Sequence, residues 1–183
     1  MRVGMGRLKT VLETGTAMLR SFDGTEPQVA DSAYVDDAAV VIGDVVIEED
    51  ASVWPNVTIR GDHGRIVVGE GANVQDNAVL HEDAELAPYS TVGHSAIVHA
   101  ATVAERALVG MNAVVLDGAH VGEGSVVAAG SVVTEGTEIP ESTLVAGTPA
   151  EPKTEIEDAH LQATADRYVE LASEHAETSE RLD

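Results

Sequence analysis

The chain has no cysteine, so disulfides and thiolate metal sites are excluded and any bound metal must rest on histidine and carboxylates. Only 3% of its residues are aromatic while 44% are hydrophobic, so Val, Ile, Leu and Ala must fill the core, which suits a narrow, regular interior. Basic residues are scarce: 10 Lys and Arg stand against 32 Asp and Glu, a formal charge of -22, and the lysines are Lys9 and Lys153 alone. Such a charge repels nucleic acid and anionic membranes, so neither is expected as a partner. The Lys-poor, acid-rich balance is that of a salt-adapted, halophilic chain, because screening at high salt weakens self-repulsion. No apolar run approaches the ~20 residues of a membrane span. The opening MRVGMGRLKTVLETGTAML has no sustained apolar segment of a secretion signal, and the expected location is cytoplasmic.

What the chain does have is a period of six. Aliphatic residues recur at Val35, Val41, Ile47, Val53 and Ile59, then at Val68, Val74, Leu80, Leu86, Val92 and Val98, then from Val103 through Val109, Val115, Val121, Val127, Val133 and Ile139 to Val145. The register slips by three extra residues between Ile59 and Val68 and by one fewer between Val98 and Val103. A small side chain follows most of these aliphatics four residues later, as at Ala39, Ala51, Ala72, Ala78, Ala113 and Ser131. A helix needs spacings of about three and four and a flat strand about two, so neither fits. A short strand plus a tight corner does. Three units, eighteen residues, close one triangular coil, and coils stack ~4.8 Å apart through parallel pairing. The nineteen repeats predict about six coils.

At 183 residues the chain suits one domain with an appendage. Residues 27–152 carry the repeat, residues 1–26 read as an N-terminal extension, and residues 153–183 as a C-terminal helix and tail. Thr154-Glu-Ile-Glu157 has the form of a capping box, and Ile156, Leu161, Ala165, Tyr168 and Leu171 follow at roughly helical spacing. That predicts an amphipathic helix ending near Glu174, packed outside the stack or on a neighbouring subunit.

Among the seven histidines, His63, His120, His160 and His175 are scattered. The others fall in register. His81 follows Leu80 and His99 follows Val98, eighteen residues apart, so they stack on one face, and Arg60, after Ile59, lies one coil below His81. On another face, Asp76 and His94 are also eighteen apart, with Gln75 beside Asp76. Two imidazoles stacked at ~4.8 Å can share a metal ion, whereas His94 points away from them within one chain. Face-to-face docking would let His94 of one subunit complete the site begun by His81 and His99 of the next, and closure of that contact gives a ring, which triangular prisms suggest is a homotrimer. The same docking would bring Arg60 and Asp76 together across the interface.

The segments SVWPNVTIRGD (52–62), NVQDNAVLH (73–81), VGHSAIVH (92–99), VGMNAVVLDGA (109–119) and VAGTPA (145–150) resemble the gamma-class carbonic anhydrases, and the resemblance covers roughly residues 27–152. It implies an all-β fold, a left-handed parallel β-helix of hexapeptide repeats with a C-terminal α-helix. It implies His81, His94 and His99 as ligands of one Zn2+, or Fe2+ or Co2+, per subunit. Gln75 resembles the residue that orients the metal-bound water, Asn73 a contributor to an anion pocket, and Arg60, Asp62 and Asp76 the interface ion-pair group, with Arg60 also a candidate for bicarbonate.

The implied activity is reversible hydration of carbon dioxide to bicarbonate, since a dication held by imidazoles lowers the pKa of bound water to about 7. Two departures bear on proton transfer. His63 stands where the family carries a glutamate after the Arg-x-Asp motif, and Leu80, Leu86 and Val92 run on without the family's acidic loop. His63, Glu82 and Glu85 are the candidate shuttles, imidazole being suited to that role near neutrality. The alternatives are a weakly active metal-binding scaffold or assembly subunit of the same family, and a hexapeptide-repeat acyltransferase using one histidine as general base. The latter lacks an obvious basic patch for coenzyme A phosphates.

Overall fold

The period of six folds as short strands joined by tight corners, and the strands wind into a left-handed parallel β-helix of about seven turns. The structure, a computed structural model, describes residues 17–156, 159–180 and 182. Glu157 of the capping box, residues 1–16 and the side chain of His160 lie outside the described residues.

Three flat faces run along the stack. The first carries Met18–Arg20, the start of Val40–Ile47, the start of Thr58–Val68, then Val79–His81, Ile97–His99, Val114–Val115 and Val132–Val133. The second runs from Gln28–Val29 through the ends of the same two long strands to Glu85–Leu86, Thr102–Val103, His120–Val121 and Glu138–Ile139. The third runs from Tyr34–Val35 through Ser52–Val53, Asn73–Val74, Thr91–Val92, Leu108–Val109 and Val126–Val127 to Thr143–Gly147.

All the periodic aliphatics from Val41 to Val145 point inward and are at most 4% exposed. Val35 is half-buried at the lower end. The small residues of the repeat, Ala39 to Ser131, fill the corners between them and are likewise buried. Burial of each Val or Leu side chain contributes roughly 1.5–3 kcal/mol, and the ladder of parallel bonds satisfies the backbone around it.

The stack is about one turn longer than the expected six. Pairing starts before Val35, with Leu19 opposite Val41 and Val29 opposite Ile47. Val29 stands six residues before Val35 and continues the period, whereas Leu19 falls ten residues before Val29, because the chain between them closes through a small bridge at Phe22 and Thr25 rather than a standard corner. The three-residue insertion makes no loop. It is absorbed in the eleven-residue strand Thr58–Val68, which bends around a corner opposite an irregularity between Gly43 and Val45.

At the upper end, Ala150–Glu155 turns back antiparallel on Thr143–Gly147. Thr154 therefore lies in a strand, and the expected capping box does not start the helix: the unpaired edge of the last coil takes these residues first. The helix is Ala159–Thr178, running beyond Glu174, and it packs on the third face of its own stack against Tyr34–Val35, Ser52–Val53 and Asn73–Val74. Leu161, Ala165 and Ala172 are buried beneath it. Tyr168 and His175 meet Trp54 edge-on, with ring centroids 5.7 and 5.1 Å apart, and Tyr34 lies 5.2 Å from Trp54. Burial, then the nearby charge of Asp76, raises the pKa of the Tyr168 hydroxyl.

Candidate functional site

The expected stacking of Arg60, His81 and His99 is observed, each opposite the next in the parallel ladder of the first face. The His81 Nδ1 atom lies 3.1 Å from His99 Nε2. The outer nitrogens of both rings are held by carboxylates: His99 Nδ1 is 2.7 Å from Asp117 Oδ1, and His81 Nε2 is 3.2 Å from Asp62 Oδ1. A carboxylate accepts, so each of those nitrogens carries the hydrogen and the inner nitrogen of each neutral ring carries a lone pair. Arg60 makes the same point independently, because its Nη2, a donor only, sits 3.5 Å from His81 Nδ1. Two lone pairs converging at this distance match two ligands of one cation. Tetrahedral zinc with metal–nitrogen bonds of ~2.0–2.1 Å holds its nitrogens about 3.3 Å apart.

Asp62 ties the group together. It accepts from Arg60 Nη1 at 2.7 Å and from His81, and His63 Nδ1 lies 3.5 Å from it. Burial pushes its carboxyl pKa up, but the hydrogen bonds from Arg60 and His81 outweigh that and hold it below the ordinary carboxylate range. His63 is 68% exposed at the rim. Glu82 has an oxygen within 4.8 Å of a ring nitrogen of His81 and of His99, whereas Glu85 is exposed on the second face.

His94 stands at the corner before the first face, outside the His81–His99 group among the described residues. Its Nδ1 is 2.9 Å from Asp76 Oδ2, so its Nε2 is the free nitrogen. Arg60 and Asp76, expected to meet between subunits, each have a partner within the chain, Asp62 and His94. Gln75 and Asn73 lie in the third face, 5% and 0% exposed, with Gln75 Nε2 donating to Asn73 Oδ1 at 3.0 Å.

Two residues escaped the reading of the sequence. Asp117 orients His99, and Thr91 accepts from Asn73 Nδ2 at 2.8 Å. Both were accessible, because each lies eighteen residues beyond the group it touches, the same spacing that joined His81 to His99.

Residues 100–135 match the family described as bacterial transferase hexapeptide (six repeats). A carbonic anhydrase of Geobacillus kaustophilus is 42% identical over 98 residues, covering 51% of this chain and 54% of that one, so the chain spans about half the length of that relative. The carnitine operon protein CaiE of Citrobacter koseri is 38% identical over 159 residues, covering 83% of this chain and 81% of that one. A solved Bacillus cereus structure, proposed to be an acetyltransferase, superposes with a TM-score of 0.86 at 35% identity, covering 88% of this chain and 98% of that one. With identity at this level along nearly all of the stack, the chain belongs to the hexapeptide-repeat transferase family.

Proposed function

We propose that the protein is a gamma-class carbonic anhydrase working as a homotrimer, with one metal site at each subunit interface. One observation carries this reading: His81, His99 and His94 are each tied through one ring nitrogen to a carboxylate, leaving His81 Nδ1, His99 Nε2 and His94 Nε2 as lone-pair donors. Carboxylate support of a metal-binding histidine fixes its tautomer and its direction. Zinc suits three imidazoles, as do iron(II) and cobalt(II).

The outer surfaces of the stack support the docking. Outward positions on the first face are Val40, Thr58, Val79, Ile97, Val114 and Val132, and on the upper third face Leu108, Val126 and Leu144. The second face presents Gln28, Val46 and Val67 at its lower end and then Glu85, Thr102, His120 and Glu138. From the height of Glu85 upward the first and third faces are mostly aliphatic and the second is polar, which fits a closed ring in which each subunit uses two faces and shows the third to water. His81 and His99 edge the first face and His94 adjoins the third, so this contact brings the third ligand to the other two.

When bound, a divalent cation held by neutral imidazoles supplies water acidic enough to act as hydroxide near neutrality. The chain's own residues do the rest. Arg60, anchored by Asp62, offers a guanidinium to the bicarbonate that forms from carbon dioxide and hydroxide. Gln75 holds the attacking oxygen by its amide. Glu82 beside the histidines and His63 at the rim take the released proton toward solvent.

A second reading, a metal-loaded assembly subunit with little activity, is favoured by one feature: between His81 and His94 the chain continues as the strands Glu85–Leu86 and Thr91–Val92 with no projecting acidic loop. The acetyltransferase reading suggested by the Bacillus cereus structure has to contend with a charge of -22 that repels coenzyme A phosphates.

The decisive experiment mixes two inactive proteins at high salt. His81→Ala and His94→Ala chains are unfolded together in equal amounts and refolded; random trimers should recover about one quarter of wild-type metal and carbon dioxide hydration, because one interface in each mixed ring is complete. No recovery in mixed trimers shown to be present would refute the shared site. Wild-type trimers that hold metal but hydrate nothing would favour the assembly subunit, and turnover of acetyl-coenzyme A would favour the transferase.

A further inference from the structure

The corner that follows the first face is turned by residues in the left-handed region, and one of them is out of character. Gly136, Gly118 and Ala100 turn it in the upper coils with φ of 65, 67 and 47, and Glu82 turns it at the height of His81 with φ of 53. Glycine takes this conformation freely, while a residue with a Cβ is strained in it. The turn also comes early here. Gly118 and Gly136 stand three residues past the inward Val115 and Val133, but Glu82 and Ala100 stand two past Leu80 and Val98, directly after the two histidines. A strained, charged residue where the next three coils use alanine or glycine points to a task for its side chain.

The Glu82 carboxylate has an oxygen within 4.8 Å of a ring nitrogen of His81 and of His99. It is half-buried, and among the described residues no hydrogen bond or ion pair holds it. Asp62 and Asp117 take the N–H of each imidazole, so the two rings have none left to offer Glu82. Two lone pairs and an anionic oxygen repel one another unless a cation lies between them. Donors on one zinc ion stand about 3.3 Å apart, a separation that a glutamate reaches by turning about its side-chain bonds. We propose that Glu82 is a provisional ligand, which completes the metal site with His81 and His99 while the subunit interface is open and yields its place to His94 of the partner subunit when the ring closes. Both cannot stay. Three imidazoles and a carboxylate would fill all positions of a tetrahedral site, and a site that does chemistry keeps one open. Once displaced, Glu82 is free for proton transfer. The exchange rests on the interfacial reading above, whereas the first capture needs one chain only. That capture is the weaker hold, because Glu82 gives up side-chain freedom to reach in; dialysis removes such a metal, so metal counted after dialysis belongs to complete interfaces.

The test titrates cobalt(II) by calorimetry into metal-free, full-length wild type, Glu82→Ala, His94→Ala and the double variant. Alanine already turns this corner in the next coil, so the backbone tolerates it. Glu82→Ala should shift the wild-type Kd by less than about twofold, since His94 supplies the third ligand there. His94→Ala should still take up cobalt, at lower affinity, and adding Glu82→Ala should weaken that uptake by at least about tenfold, the smallest loss seen when even an outer partner of a ligand is removed. No uptake by His94→Ala, or uptake indifferent to Glu82→Ala, would overturn the provisional hold and leave the interfacial reading standing. As much weakening by Glu82→Ala in the wild type as in His94→Ala would make Glu82 a permanent ligand and overturn the exchange. His94→Ala binding as tightly as the wild type would remove His94 from the site, and the interfacial reading would fall with the exchange. If the alanine variants do not fold, Glu82→Gln, which keeps the shape and removes the charge, is read in the same way.

Discussion

Two stretches of the third face share one backbone and differ in purpose. From Ser52 to Thr91 the outward residues are small, polar and buried, Ser52 and Asn73 in strands that the helix packs on, and from Leu108 to Leu144 they are aliphatic and half-buried. Their inward partners are the same, Val53, Val74 and Val92 below and Val109, Val127 and Val145 above, none more than 1% exposed. The inward side is dictated by the prism, whose interior accepts little besides Val, Leu and Ile. The outward side is free to vary, and it varies where chemistry or contact requires.

If the lower half of the stack is the chemical half, removing one imidazole there should matter far more than removing one elsewhere. His81→Ala is expected to abolish stoichiometric metal, measured by elemental analysis of purified protein. His120→Ala, in the outward row of the second face, should retain it. Equal metal in the two variants would remove the distinction between the halves.

The apolar faces can be tested against the polar one by adding a charge to each. Val114→Asp on the first face would bury an unpaired carboxylate in the proposed contact, costing about 3–5 kcal/mol and weakening assembly at least a hundredfold in sedimentation. Thr102→Asp on the second face should change assembly by less than about 0.5 kcal/mol. A trimer indifferent to Val114→Asp would place the contact elsewhere.

Much of this was legible in the chain, and the reason is the rigidity of the repeat. When every coil takes about eighteen residues, sequence difference converts directly into position, and the stacking of Arg60, His81 and His99 follows from subtraction. The inward core was legible for the same reason. The ends were not. Leu19 joins the first turn through a closure of a different form, and Thr154 obeys the sheet edge rather than its own capping pattern. Ion-pair partners were only half legible: spacing aligned Asp76 with His94, yet the choice between His94 and Arg60 depends on side-chain reach, which no period encodes.

Acid should find the lower half first. The carboxyl of Asp62 titrates below its ordinary range in the folded chain, so the stability it contributes is present above the unfolded value and is lost as pH falls through the folded one. Asp62→Asn should therefore flatten the acid limb of a thermal-stability profile below the usual carboxylate range. Identical acid limbs for the wild type and Asp62→Asn would mean that Arg60 and His81 do not hold this carboxyl in solution.

The smallest expected effect compares two glycines in neighbouring columns of the upper half. Gly130 has φ +69 and stands above Asn56, Asn77, Ser95 and Asn112, whose φ values of 61, 62, 59 and 57 mark one corner repeated coil after coil. Nothing lies within 4 Å of a Cβ added at Gly130. Asparagine tolerates this left-handed conformation better than most residues, and the loss of glycine's freedom in the unfolded chain offsets the remaining strain by about 0.4–1 kcal/mol. Gly130→Asn should thus shift stability by less than about 0.5 kcal/mol either way, a residual set by these two opposed terms. Gly110 is different in kind. A Cβ there would stand 2.6 Å from the Val127 carbonyl oxygen and the Ala129 nitrogen, both backbone, so the coil above must move. Gly110→Ala should cost about 1–3 kcal/mol, the usual range for overpacking a close-packed region. Denaturant titration of the two variants measures the difference directly. Equal costs would mean that the corner column, and not the closeness of successive coils, governs where this stack needs glycine.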